Sequence, residues 1–147
     1  LDTEWNIEDG ITWSPKCITC WNTMKYSNGP VFIYSQYLQH GLYEMARVLE
    51  RMGWKRIGGP PFLSSEESKL RLKNPYCWAN QCQRSDIKKE SKKPFVHAKY
   101  ALVDGSSRNL YDILKKVNHS NNTSGYECAA LLGSRVIEVG VSLKRFR

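Results

Sequence analysis

The apolar residues of the first 57 positions follow two spacings, one typical of helices and one typical of buried strands. After Ser14 and Pro15, which favour the start of a helix, apolar residues recur at i, i+3, i+4 and i+7. The apolar run VFIYS at 31–35 is typical of a strand buried on both faces. A second helical stripe covers 36–52, and WKRI at 54–57 is the next predicted strand. The apolar positions of the two stripes are Cys17, Cys20, Trp21 and Met24, then Leu38, Leu42, Met45, Leu49 and Met52.

The rest of the chain contains an interruption and then a second strand–helix–strand series. Residues 58–93 hold GGPPF, SSEESK, NPYCWANQC and a basic tract, RSDIKKESKK. This composition predicts a loop-rich insertion, and its length indicates a functional or mobile segment. Residues 95–105 predict a strand, 106–117 a helix with one apolar face, and 127–135 another buried strand.

This alternation predicts an α/β fold with a mostly parallel sheet between layers of helices. We expect VFIYS, YALVD and CAALLG to be adjacent inner strands, covered by the helices. In such sheets ligands bind beyond the carboxyl ends of the strands. Two segments have that position, Ser35-Gln36 after the first strand and residues 133–142 after the last.

Charge and cysteine content narrow the choice of partner and compartment. The 147 residues carry a formal net charge of +8, which favours a polyanionic partner such as nucleic acid. No apolar run is long enough to span a membrane, and no secretory signal is visible. Five cysteines without a regular framework indicate free thiols in a reducing compartment.

Four segments together resemble a known protein family. They are SPKCITCWNTM, GPVFIYSQYLQHGLYEMARVLERMGW, YALVDG and NNTSGYECAALLGSRVIEVGVSLKRFR. The set is similar to the C-terminal helicase domain of superfamily 2 ATPases of large nucleocytoplasmic DNA viruses, the poxvirus-type group that includes nucleoside triphosphate phosphohydrolase I and the helicase subunit of the early transcription factor. VFIYSQY resembles helicase motif IV and LLGSRVIEVGVSLK resembles motif V.

The resemblance implies a RecA-like three-layer sandwich and roles for individual residues. Motif V of this superfamily lies in the cleft between two RecA-like halves. Ser134 and Arg135 would therefore contact nucleic-acid phosphates, as would Ser35 and Gln36 of motif IV. The resemblance also implies that Glu138, Gly140 and Ser142 lie near the nucleotide. Glycines and hydroxyls suit these positions because they permit close approach and hydrogen bonds to phosphate oxygens.

The resemblance also has departures. In Glu138-Val139-Gly140 the acidic residue stands one position earlier than in the usual motif V. No phosphate-binding loop, Asp-Glu pair or motif VI is present, so ATP and Mg would be bound mainly by a first RecA-like domain absent from this chain. We therefore expect a linker over 1–13, the second half of an NTP-hydrolysing helicase over 14–147 with an incomplete C-terminal end, and no activity from this fragment alone.

The partners implied are nucleic acid (DNA or RNA), the N-terminal RecA-like domain and viral transcription machinery, with no membrane, in the host cytoplasm or virion. The basic tract adds Lys88, Lys89, Lys92 and Lys93 as candidate nucleic-acid contacts.

Other interpretations stay open at this stage. A RecA-like module could bind or scaffold nucleic acid without motor activity, and the off-pattern motif V favours that alternative. The cysteine count permits a small zinc module, but Cys17 and Cys20 occupy core positions of a helical stripe, so we expect no metal there. Whether Cys77 and Cys82, which lie within the insertion, bind a metal stays open. Tyr76 and Trp78 could stack on bases, although packing within the loop is the simpler interpretation.

Overall fold

The structure is a computed structural model that describes residues 15–35, 37, 41–104 and 110–134. In these ranges the helices are α1 (Pro15–Met24), α2 (Tyr43–Arg51), α3 (Ser65–Leu72) and α4 (Leu110–Val117). The strands are β1 (Val31–Tyr34), β2 (Lys55–Ile57), β3 (Tyr76–Cys77), β4 (Cys82–Gln83), β5 (Lys99–Val103) and β6 (Ala130–Gly133).

The central sheet has four parallel strands in the order β1-β6-β5-β2. The register aligns Tyr34 with Gly133 and Gly133 with Val103, so the carboxyl ends of three strands are level. The predicted adjacency of VFIYS, CAALLG and YALVD is confirmed. The prediction that VFIYS is an inner strand is wrong for the described sheet, because β1 lies at its edge and its residues are only partly buried.

Alternate residues of the strands face two different helical layers. Tyr100, Leu102, Ala130 and Leu132 pack in one apolar cluster with α1 and α2. Ala101, Val103 and Leu131 pack in a second cluster with Ile113 and Val117 of α4. The chain is therefore a three-layer α/β sandwich. The β1–α2–β2 and β5–α4–β6 connections run in opposite directions along the sheet, and their helices lie on opposite faces, as right-handed crossovers require.

The helical stripe of α1 is confirmed as core at Cys17, Trp21 and Met24, which are buried, whereas Cys20 is only partly buried and packs against the cluster. Its Trp21 belongs to an aromatic cluster that includes residues of the predicted insertion. Trp21 lies 6.2 Å from Trp54 and 5.2 Å from Tyr76 between ring centroids. Trp54 lies 5.6 Å from Trp78, whose Nε1 donates to the Ser124 carbonyl at 2.8 Å. Tyr76 and Trp78 are each 2% exposed, so packing, and not base stacking, is their role.

The interpretation of 58–93 as turns and loops is wrong in two places. Ser64 Oγ accepts a hydrogen bond from the Glu67 amide at 3.3 Å and thereby caps α3. Tyr76 and Cys77 then pair with Cys82 and Gln83 in a short antiparallel hairpin. Serine followed three residues later by glutamate is a recognisable helix start, and the polar composition around it concealed the signal.

Hydrogen bonds join the insertion to Glu50 of α2 and to Gly53, which follows α2. The buried Glu50 carboxylate accepts the Phe62 amide at 2.9 Å and the Tyr100 hydroxyl at 2.8 Å. Beyond α2, the Gly53 carbonyl accepts the Tyr76 amide at 3.0 Å. Gly53 has φ +88°, and a Cβ there would lie 2.8 Å from backbone atoms of Asn74 and Tyr76, so this close junction requires glycine. Because Gly53 lies just before β2, the hairpin sits at the amino edge of the sheet.

Candidate nucleic-acid interface at the carboxyl edge of the sheet

Ser35, Ser134 and Asp104 form a row at the carboxyl edge of the sheet. Each residue directly follows its strand, β1, β6 and β5 respectively. The ladder continues through them, since the Ser35 amide donates to the Gly133 carbonyl at 3.1 Å and the Ser134 amide to the Val103 carbonyl at 3.2 Å. Neighbouring strands lie about 4.8 Å apart, so the row spans about 10 Å. The structure therefore brings Ser35 and Ser134 together, as the resemblance implies.

The row faces the beginning of α2. Side chains alternate along a strand, and the residues before this row, Val103 among them, face α4. In agreement, the Tyr43 hydroxyl at the start of α2 donates to Asp104 Oδ2 at 2.7 Å. This hydrogen bond, followed by burial and the charge of Asp104, raises the pKa of Tyr43. Asp104 is only 6% exposed and Ser134 7%, so the row is a buried polar seam beneath the helix.

A compact turn connects the row to α2. Ser35 Oγ donates to the Tyr37 carbonyl at 3.2 Å and accepts the Tyr37 amide at 3.1 Å. The Tyr37 carbonyl also accepts the Leu42 amide at 3.1 Å, a bond across five residues that makes a single π-type turn. A Cβ on Gly41 would lie 2.5 Å from Ser35 Oγ, so glycine allows the turn to close on the serine.

Several sequence-predicted site residues lie outside the described residues. They are Gln36, Arg135, Glu138, Gly140 and Ser142. The described end of the motif V segment is Ser134.

The predicted basic contacts lie elsewhere in the molecule. Lys88, Lys89, Lys92 and Lys93 are exposed, and within the described ranges none of them is in an ion pair. Lys88, Lys92 and Lys93 line a cleft of about 600 Å³ beside the hairpin. Asn80 ties this loop to the hairpin, because its side chain accepts from the Ser91 hydroxyl and donates to the Pro94 carbonyl.

The basic loop and the serine row are at opposite ends of the sheet. The loop adjoins the hairpin next to Gly53 and leads through Ala98 into the start of β5, whereas the row follows the strand ends. A five-residue strand such as β5 separates the two ends by roughly 13–17 Å. The structure thus divides the predicted nucleic-acid contacts into two surfaces.

None of the five cysteines is in a disulfide, and no group of three or more potential metal ligands occurs among the described residues. Cys77 and Cys82 are directly opposite in the hairpin register. The Cys77 sulfur accepts the Val96 amide at 3.4 Å and the Asn80 side-chain amide at 3.1 Å, so it helps to hold the loop. The absence of zinc at Cys17 and Cys20 remains a prediction.

His97 has a structural role at the amino edge of the sheet. Its Nε2 lies 2.9 Å from the Gly53 carbonyl. Burial lowers the pKa of His97, which keeps the ring neutral and able to donate at Nε2. This hydrogen bond therefore joins the segment before β5 to Gly53 at the amino edge of the sheet. His40 lies outside the described residues.

Sequence reasoning missed Asp104, Tyr43 and Tyr37. Asp104 could have been found, because it follows the apolar centre of a strand at the position where ligands bind in parallel sheets. Tyr43 had no comparable signal, since its role depends on the spatial approach of α2 to β5. Tyr37 also had no sequence signal, because its exposure is visible only in the structure.

Comparison with known proteins supports a viral helicase relationship for part of the chain. Over 49 residues, 33% of this chain, the sequence is 37% identical to a Frog virus 3 (isolate Goorha) protein named "Putative helicase 009L". The chain spans 5% of that relative's length. No protein-family model matches the chain, and no solved structure matches it. Among the described residues, no helix is long and apolar enough to cross a membrane.

Proposed function

We propose that this chain is the second RecA-like half of a nucleic-acid-dependent ATPase of the superfamily 2 helicase type, acting in viral transcription or nucleic-acid remodelling. ATP and Mg bind mainly to a first RecA-like half. This chain contributes motifs IV and V to the cleft, and closure of the cleft on nucleotide moves or remodels the nucleic acid.

The observation that carries this proposal is the adjacency of β1 and β6. Their ends are the VFIYS and ALLGS segments that resemble motifs IV and V, and they lie side by side at the carboxyl edge of a parallel sheet. Motifs so far apart in the chain serve one cleft only if the fold joins them. The similarity to a viral helicase is an independent support.

The residues of this edge suit the backbone of a nucleic acid. Hydroxyls at the ends of parallel strands bind phosphate oxygens without reading sequence, and we expect the Ser134 hydroxyl to be such a contact, although the residue is 7% exposed in the isolated chain. The segment after β6, which contains Arg135, supplies a cation and, through Glu138, Gly140 and Ser142, borders the nucleotide. The lysines of the basic loop provide a second contact for a longer strand.

A non-catalytic binding or scaffolding module of RecA-like fold is the second candidate. The position of Glu138, one residue away from the usual motif V, favours it. Nucleic-acid stimulation of ATP hydrolysis in a longer protein that contains a phosphate-binding loop before this chain would separate the two candidates.

Titration of the chain with a labelled single-stranded oligonucleotide at two salt concentrations, with and without ATP, tests the proposal. We expect a Kd on the order of micromolar or weaker, a steep loss of affinity with salt because counterions are released, and no effect of ATP on the isolated half. Binding that is independent of salt would remove the electrostatic account, and a strong ATP effect would show that the chain is not half of a divided nucleotide site.

Replacement of Ser134 by Ala should weaken this binding by about 1 kcal/mol, the contribution of one neutral hydrogen bond. Ser68→Ala on the insertion helix serves as the control and should leave the affinity unchanged. Equal affinities for the two variants would exclude the Ser134 hydroxyl as a contact.

A further inference from the structure

Two tyrosine rings are exposed at the carboxyl edge, Tyr37 after the serine row and Tyr34 on the opposite, α4-facing side of the sheet. Tyr34 ends β1 and is 42% exposed, and Tyr37 follows the row and is 63% exposed. Neither hydroxyl makes a hydrogen bond within the described ranges. The exposed rings of this edge therefore contrast with the aromatic cluster at the other end, where Tyr76 and Trp78 are buried.

The backbone of Tyr37 is fixed although its ring is free to contact a partner. Its amide and carbonyl are both bonded to Ser35 Oγ, and its carbonyl also accepts the Leu42 amide. Gly41 provides the space in which this turn closes. A rigid aromatic ring on an ordered backbone loses little conformational entropy on binding, so it is a favourable contact residue.

The same geometry changes the role of Ser35. A serine hydroxyl has one proton, and here that proton is donated to the Tyr37 carbonyl. Ser35 therefore acts by holding the turn, whereas the group that this segment presents to solvent is the Tyr37 ring.

We propose that Tyr37, held by Ser35, is a stacking platform for the unpaired bases of a single-stranded nucleic acid. The inference rests on the proposed function and specifies how that site holds its ligand. With the phosphates along the strand ends, the bases extend toward Tyr37. Every base has a π face, so such a platform binds without sequence preference.

The test compares a labelled oligothymidine with an abasic oligonucleotide of equal length, both titrated into the full chain. Tyr37→Leu should weaken oligothymidine binding by about 5- to 30-fold, which corresponds to roughly 1–2 kcal/mol. Binding of the abasic strand should be unchanged, because it has phosphates but no bases. Tyr37→Phe should retain affinity, and Tyr111→Leu, at an 88% exposed tyrosine on α4, is the matched control.

Three further readouts distinguish base stacking from electrostatic binding, distinguish positioning by Ser35 from a loss of folding, and locate the contact. The salt dependence of Tyr37→Leu should equal that of the unaltered chain, because a phenol releases no counterions. Ser35→Ala should lower the preference for oligothymidine over the abasic strand, whereas a merely structural loss would weaken both equally. A cross-link from 5-iodouracil in the oligonucleotide, located by mass spectrometry, should map to Tyr37.

The outcomes distinguish this inference from the function on which it rests. If the chain binds both oligonucleotides equally, or if Tyr37→Leu behaves like Tyr111→Leu, the platform is wrong and the nucleic-acid edge remains. If the unaltered chain binds neither oligonucleotide, both proposals are overturned.

Discussion

The two ends of the central sheet are built from different residues and hold different contacts. At the carboxyl end, Ser35, Ser134 and Asp104 form a polar row beneath α2, followed by the exposed Tyr37. At the amino end, the hairpin of the insertion packs its aromatic rings against Trp54 and presents a lysine-rich loop to solvent. Positive charge alone therefore does not identify the main site, because the basic loop lies away from the edge that resembles the helicase motifs.

The strongest test of this contrast is removal of an aromatic ring that joins the insertion to the core. Trp78→Ala should lower the free energy of unfolding by about 3–5 kcal/mol, because the ring is buried against Trp54 and donates to Ser124. Urea denaturation measures the loss, with the exposed Tyr111→Ala as control. A loss no larger than that of the control would mean that the insertion is an independent loop.

Glu50 provides a second test of the same junction. Glu50→Ala should destabilise the chain by about 1–3 kcal/mol, since it leaves the Phe62 amide and the Tyr100 hydroxyl without their acceptor. Glu66→Ala, on the exposed side of α3, should cost much less. Equal thermal unfolding midpoints for the two variants would contradict the anchoring role of Glu50.

The elements of the fold were predictable where local pattern and burial agree. The helical spacing in α1 predicts a helix with one buried face. The apolar centres of β5 and β6 predict strands that are buried on both faces. The insertion was not predictable in the same way, since Tyr76 and Trp78 stand among polar residues and become core only through contact with distant Trp21 and Trp54. For the site, the positions directly after the predicted strands indicated Ser35 and Ser134. Only the fold shows that the Ser35 hydroxyl is hydrogen-bonded to the Tyr37 backbone.

The basic loop should modify binding without defining it. Replacing Lys88, Lys89, Lys92 and Lys93 by Gln should reduce the slope of log affinity against log salt by about 0.7 for each lysine that contacts a phosphate. Replacing four other exposed lysines, Lys16, Lys69, Lys73 and Lys115, removes the same charge elsewhere. If both sets change the slope equally, net charge alone accounts for the effect. Complete loss of binding only in the first set would make the amino edge the main site.

The smallest expected effect is a pH dependence at the amino edge. Burial lowers the pKa of His97 below its usual value of 6.5, so the unfolded chain binds a proton that the folded chain excludes. Stability should therefore be complete above that pH and fall as the pH drops below about 6.5. His97→Gln should reduce this dependence, measured by denaturation at about pH 7.5 and pH 5.5. An equal reduction in His119→Gln, at an exposed histidine, would contradict the assignment.

Hydrogen–deuterium exchange with saturating single-stranded oligonucleotide tests the central claim most directly, because it reports both ends of the sheet in one measurement. The account predicts that the strongest protection falls on the peptides that contain the end of β1 with its following turn and the end of β6. Weaker protection is expected in the basic loop. Protection confined to residues 76–98, with none at the ends of β1 and β6, would contradict the assignment of the nucleic-acid site to the carboxyl edge.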